Sequence, residues 1–208
     1  MPASLVALTE GAGKNLETWQ WVIGANTVER QVIAQGEQHL ASYIVGHGTT
    51  GGAVSTATAN SHLMQISAGA SLKVRIRRLQ VIQSALATTA VLGQILIVRL
   101  STAGTGGTAQ TPAALDPADA ASGATAMHLP TAKGTEGGIL YESQPYFIQT
   151  LTASLPNWPI LLDVDFDRLR PKPLIIAAGA ANGIAIKQIT AVAAATVWMN
   201  VWLDEANF

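Results

Sequence analysis

The chain has no cysteine. That excludes disulfides, thiolate nucleophiles and cysteine-ligated zinc, and leaves packing to hold the fold together. Charge is also scarce. Asp, Glu, Lys and Arg make up 12% of the 208 residues, about half the usual share of roughly 25%. The two signs nearly cancel, at a net charge of −1. A nucleic-acid partner would call for a basic face, and an anionic membrane for a polybasic patch; the sequence offers neither. Long apolar runs are missing too. "ALATTAVLGQILIV" and "PLIIAAGAANGIAI" are the most apolar stretches, and Gly, Thr, Gln or Asn interrupts each before a span of about 18 residues is reached. The opening "MPASLVALTEGAG" has neither a basic n-region nor a long apolar h-region, so no signal peptide is expected.

What is present is apolar and small. Apolar residues are 49% of the chain, enough for one sizeable core in a single large β domain. A surface so poor in charge is unusual for a free monomer. Neutral Thr, Ser, Gln and Asn must cover much of it, and burial in an assembly covers more. A homo-oligomer is therefore expected.

Period-2 alternation dominates the pattern. "SLKVRIR" sets Leu72, Val74 and Ile76 against Lys73, Arg75 and Arg77, as in a half-buried strand. The phase then slips. Arg78 stands where an inward residue is due, and Leu79 and Val81 take the other parity, which predicts a β-bulge near Arg77–Arg78. "ILLDVDFDR" sets Leu162, Val164 and Phe166 against Asp163, Asp165 and Asp167. "GQILIVRL" is nearly all apolar, as in a strand covered on both faces. "PLIIAAGAANGIAIKQI" reads as two short strands around a turn near Ala181–Gly183, since Asn-Gly favours hairpins. In "ATVWMNVWLDE" Val197, Met199 and Val201 alternate with Trp198, Asn200 and Trp202. "YESQPYFIQTL" reads as a strand with Pro145 at its edge or at a bulge. For "VERQVIAQGEQHLASYIVG", two strands around "QGEQ" compete with a short helix over 28–35 capped by Thr27. The fold expected is all-β: a jelly-roll-like β-sandwich of eight or more strands, with that possible short helix. Residues 1–26 are expected to form an N-terminal arm or first strand, and residues 27–208 a single β-sandwich domain.

Chemistry-bearing motifs are weak. "GHGTTG", Gly46 to Gly51, matches G-x-G-x-x-G, but no helix pattern comes after it, so it reads as a turn. "GAGKN" lacks both the first glycine and the final Ser or Thr of a P-loop. His39, His47, His62 and His128 show no zinc-site spacing, though His47 and His62 flank one loop. No G-x-S-x-G element is present. Asp116 and Asp119 beside Pro117 read as turn residues. Asp163, Asp165 and Asp167 are the one polar cluster of note and the candidate ligands for a hard cation such as calcium. The competing and preferred reading is structural: Lys73, Arg75 and Arg77 offer a basic row at the same period for cross-strand pairing, within a subunit or across an interface. Trp198 and Trp202 share strand parity, as do Trp19 and Trp21, and all four are candidate interface residues with the Lys73, Arg75, Arg77 row. No cofactor is expected, and no enzyme.

One stretch stands apart. "STAGTGGTAQTPAALDPADAASG", Ser101 to Gly123, holds one large apolar residue and two charges. It cannot pack by itself, and a loop of that length in a compact domain is usually functional or disordered. It is expected to run as an ordered excursion over its own sheet or a neighbouring subunit. From Val98 to Thr131, "VRLSTAGTGGTAQTPAALDPADAASGATAMHLPT" resembles a family of tailed-bacteriophage and prophage virion proteins that share an "AGTGGTA-TP-LDPADAASGATA" segment between two strands. A weaker likeness runs through "RPKPLIIAAGAANGIAI", so the resemblance covers about half the chain. It implies a virion protein of the jelly-roll decoration or head-associated type, a homotrimer that contacts other virion proteins such as the major capsid protein. The expected function is thus a capsid decoration or cement protein located in the virion after assembly in the host cytoplasm. The alternative is a receptor-binding or tail- or fibre-associated virion protein, with Tyr141, Tyr146 and Trp158 as exposed aromatic candidates.

Overall fold

The computed structural model describes residues 18–23, 26–31, 40–46, 54–85, 91–143, 146–148, 160–169 and 173–206. The chain divides into two compact units, Met1–His39 and Leu40–Phe208.

The first unit holds one antiparallel pair, β1 (Thr18–Ile23) and β2 (Asn26–Gln31), in which Trp19 pairs with Arg30 and Trp21 with Val28. The short helix expected at 28–35 is therefore incorrect over Val28–Gln31. Thr27 and Val28 are β-branched and favour the extended chain, and the ladder to β1 supplies the partners that a helical turn would have had to find locally. Residues 32–35 lie outside the described residues. A boundary at residue 26 also passes through this hairpin, since Asn26 pairs with Ile23.

Among the described residues, the regular elements of the second unit are strands and one short helix. Its first half contains β3 (Ala41–Gly46), β4 (Val54–Ser55), β5 (Ser61–Ser67), β6 (Lys73–Ala85), β7 (Val91–Gly93), β8 (Ile95–Leu100), β9 (Thr108–Gln110) and β10 (Ala113–Ala114). Its second half contains β11 (Thr125–His128), β12 (Glu136–Glu142), β13 (Tyr146–Ile148), β14 (Ile160–Asp165), the single helical turn α1 (Phe166–Leu169), β15 (Leu174–Ile176), β16 (Gly183–Gln188) and β17 (Thr196–Ala206). The larger sheet has the order β10-β3-β17-β6-β14, with β15 also on β6 and β4 also on β17. The smaller sheet has the order β12-β8-β16-β5-β11-β9. β7 and β13 form a separate pair.

The two sheets share one core and make a β-sandwich. Val74, Ile76, Leu79, Val81, Val197, Met199, Val201, Leu162 and Val164 come from the larger sheet and Phe166 from α1; Met64, Ile66, Ile95, Ile97, Ile184 and Ile186 come from the smaller sheet. Each strand contributes alternate residues, as the pleat requires. The alternation of β17 is borne out: Val197, Met199 and Val201 are buried while Trp198 is exposed. β8 is covered on both faces, since Leu96, Val98 and Leu100 form a second buried cluster with Ala185 on the far side of the smaller sheet.

The bulge in β6 lies where the phase slip placed it. Arg78 pairs with Trp202 and Ile76 with Leu203, so Arg77 is the extra residue. Ile76 and Leu79 both stay in the core, and Arg77 and Arg78 both face outward. Two readings need correction. The Asp row does not run along one strand: β14 ends at Asp165, whose Oδ1 accepts from the backbone N–H of Asp167 (3.0 Å) and Arg168 (3.1 Å) and so caps α1. The Leu174–Gln188 segment is not a hairpin: β15 joins the larger sheet and β16 the smaller, and the Gly179–Gly183 turn carries the chain between them.

Ser101–Gly123 runs over the chain's own sheets and is hydrogen-bonded along its length. Ser101 N–H donates to Thr135 O at 3.0 Å, and Thr105 and Ala132 exchange both backbone bonds. β9 pairs with β11, and β10 crosses to pair with β3 of the other sheet. Asp116 and Asp119 close a turn, with Ala118 N–H donating to Asp116 Oδ1 at 2.9 Å. Small residues are needed for this course. A Cβ on Gly104 would lie 2.4 Å from Ala132 O and 2.8 Å from the Gln65 amide, and Gly134 adopts φ +76° with its Cα side against Thr102 O.

Candidate functional site: the outward face of the larger sheet

On the outward face of the larger sheet, paired residues fall into cross-strand rows. One row is Ile160, Ile82 and Trp198; the next is Asp163, Gln80 and Asn200; the third is Asp165, Arg78, Trp202 and Ile44; the fourth is Arg75, Asp204 and Ser42. The first row is apolar and open, with Ile160 57% and Trp198 43% exposed.

The charges beside it are matched. Arg78 grips Asp163 with two parallel bonds, Nε to Oδ1 at 2.9 Å and Nη2 to Oδ2 at 2.6 Å, and Gln80 adds a third to Oδ2 at 2.9 Å. These donors hold the Asp163 carboxyl below its ordinary range: the Arg78 bond is the largest cause, burial opposes it, and Gln80 adds to it. The Arg78 guanidinium lies 5.5 Å over the Trp202 ring, a cation–π contact. Arg77 reaches Asp167 at 2.7 Å. Arg75 turns to Asp204, with Nη2 at 2.7 Å and Nε at 3.0 Å, and Ser42 Oγ donates to the other carboxylate oxygen at 2.8 Å. A cavity of about 520 Å³ opens between Tyr43, Arg77, Asp165, Arg168, Trp202 and Leu115.

The sequence-read residues thus divide. Asp163 and Asp167 each bond to an arginine of β6, but Asp163 takes Arg78, the residue displaced by the bulge, and Asp165 serves as a helix cap. Arg75 pairs away from this row altogether. Lys73 sits at the end of β6 opposite Ala206. Trp19 and Trp21 belong to the other unit. Tyr141 is half-buried against the core; Trp158, His39 and His47 lie outside the described residues. Among the described residues no group of three or more His, Asp or Glu side chains is arranged to hold a metal ion.

Two polar centres were not read from the sequence. Glu205, buried at the end of β17, accepts from Gly123 N–H (3.0 Å), Ala124 N–H (2.8 Å) and the Ser122 hydroxyl, and so ties down the end of the long excursion. Tyr43 Oη donates to Ala120 O at 2.8 Å nearby; burial, then Glu205 and Asp119, push its phenol above the ordinary value. Under the Ser101–Thr105 and Thr131–Thr135 segments, His62 and Gln65 of β5 meet Glu136 and Lys187. His62 Nε2 lies 2.9 Å from Glu136 Oε1, and Lys187 Nζ donates to Oε2 at 2.7 Å. Burial works against ionisation of Glu136, but the bonds from Lys187 and His62 outweigh it and hold its carboxyl below the ordinary value. Pairs 51 to 74 residues apart in sequence leave no local signal; only the odd polar residues inside the apolar "SHLMQIS" hint at them.

The fold and this face define an all-β sandwich with an apolar and charge-paired outer surface. No protein-family model, curated protein or solved structure matches the chain.

Proposed function

We propose that this protein is a bacteriophage virion structural protein, a capsid decoration or cement protein that stabilises the particle as a homo-oligomer. The jelly-roll homotrimer is the form the family resemblance implies. The observation that supports a structural role most is the outward face of the larger sheet. Its Ile160, Ile82 and Trp198 row is open, and Asp163, Asp167 and Asp204 beside it are already paired with arginines. Covering such a face against protein removes apolar area from water without stranding a bare charge. The scarce net charge of the whole chain works in the same direction.

Light scattering on the purified chain tests the assembly. The expected mass is three times 21.6 kDa, unchanged by a calcium chelator, and Trp198→Glu lowers it. Co-sedimentation with phage capsids that lack the protein tests the partner. A monomer at micromolar concentration that does not bind such capsids would overturn the proposal.

A further inference from the structure

The backbone dictates how the buried cluster on β5 is protonated. Gly104 N–H can only donate, and it donates to Gln65 Oε1 at 2.8 Å. The Lys133 carbonyl can only accept, and it accepts from Gln65 Nε2 at 2.6 Å. The Gln65 amide therefore has one orientation, with its NH2 toward His62. His62 Nδ1, 2.6 Å from that NH2, must be the lone-pair nitrogen. Nε2 then carries the ring proton and donates to Glu136 Oε1 at 2.9 Å. His62 is held neutral in one tautomer by a chain of bonds that starts at two backbone groups.

Those two backbone groups belong to the two halves of one strap. Ser101–Thr105 and Thr131–Thr135 bond to each other through Ser101 with Thr135 and Thr105 with Ala132. Gln65 clamps one half at Gly104 and the other at Lys133. The charged groups facing His62 are Glu136 of β12, Lys133 of the strap and Lys187 of β16; its own strand adds the neutral Gln65.

A second proton on His62 can go only to Nδ1. It would set an N–H against the Gln65 NH2 at hydrogen-bond distance. Rotating the Gln65 amide relieves that contact, but then its NH2 meets Gly104 N–H and its oxygen meets Lys133 O. Both clamps on the strap are lost together. We infer that His62 and Gln65 form an acid-sensitive latch, which holds the Ser101–Thr105 and Thr131–Thr135 strap at neutral pH and releases it when His62 is protonated. Gln65 shares a cross-strand row with Ala185 and Val98, and His62 shares one with Lys187 and Leu96. Burial pushes His62 below its ordinary value, with the Glu136 bond in opposition. The latch therefore stays closed through neutral pH and opens only on acidification below the ordinary histidine value of about 6.5.

The test uses the full chain between about pH 8 and about pH 5, the range of histidine switches. Nitrogen NMR of the imidazole reads the tautomer. Hydrogen exchange by mass spectrometry, corrected for intrinsic rates, reads the strap, with β6 and β17 as internal references. At neutral pH His62 should show an unprotonated Nδ1. Strap exchange should rise about tenfold or more as His62 titrates, the factor expected for losing net hydrogen bonds, while β6 and β17 stay protected. His62→Asn, which keeps an acceptor toward Gln65 and does not titrate, should remove the acid step. A protonated Nδ1 at neutral pH overturns the latch. So does a strap whose exchange is flat while His62 titrates, or a rise equal in every strand, which is global unfolding. If His62→Asn does not fold, the NMR and exchange data on the unsubstituted chain decide the matter.

Discussion

Asp204 and Asp163 each receive a forked arginine, yet they should differ several-fold in what they contribute. The perturbation is Asp→Ala at each site. Asp204 is fully buried, and its side chain holds Arg75, Arg77 and Ser42 together. Removing one partner of a buried charge pair costs about 3–5 kcal/mol, because the other charge is left uncompensated. Here the partners are only partly enclosed, with 23% of Arg75 and 41% of Arg77 still exposed, and water recovers part of the loss. About 3 kcal/mol remains, near the lower end of that range. For a domain of this size that is a fall in Tm of roughly 6–12 °C. Asp163 has the better fork, one arginine bond to each oxygen where Asp204 takes both on Oδ2, but it and Arg78 are 33% and 45% exposed. Solvent screens an exposed pair, and Asp163→Ala should cost less than about 1 kcal/mol, or under about 4 °C. Paired thermal and urea unfolding of both variants decides it. Equal losses, or a larger one at Asp163, would refute the claim that burial rather than geometry sets the contribution of these pairs.

The same structure sets further outcomes. Gly104→Ala forces a Cβ to within 2.4 Å of Ala132 O and should destabilise by about 1–3 kcal/mol, seen as a lower urea midpoint. Glu205→Gln replaces one accepting oxygen with an NH2 that faces either the Gly123 N–H (at Oε2) or the Ala124 N–H (at Oε1); it should cost about 2 kcal/mol and speed hydrogen exchange at residues 122–124. Stability should fall as pH drops below about 6.5, because the unfolded chain binds the His62 proton more readily than the folded one. A second decline should begin below about 4.5, since Glu136 is held ionised in the fold and loses that stabilisation as it is protonated. Urea midpoints measured across pH check both; His62→Asn should erase the first and, because His62 also helps hold Glu136 ionised, shrink the second.

Much of the architecture is legible in the chain because period 2 is a local signal. The alternation of Val74 and Ile76, its slip at Arg78 and its resumption at Leu79 specify a bulged strand without knowledge of any neighbour. The double coverage of Ile95–Leu100 is equally local. Which strands become neighbours is not. Arg75 finds Asp204 across 129 residues, and His62 finds Glu136 across 74; nothing near either residue announces its partner. The helical turn after Asp165 was hidden because Phe166 continues the apolar parity of β14 while Asp165 turns to cap α1. The Asn-Gly step before β16 misled for a related reason: a tight turn says that the chain reverses, not that both arms stay in one sheet.

The bulge at Arg77 also bears on how this sequence can drift over generations. In a thirteen-residue strand, removing or adding one residue at most positions turns everything beyond it inside out. At Arg77 it does not. Without that residue Ile76, Arg78 and Leu79 already alternate in, out and in, so both halves of β6 keep their faces. Loss of Arg77 would cost its ion pairs to Asp167 and Asp204 and leave the core unchanged. Among related chains, single-residue gaps within this strand should gather at Arg77 and at Ser84, where the register to β17 shifts a second time, while the flanking segments change only by substitution.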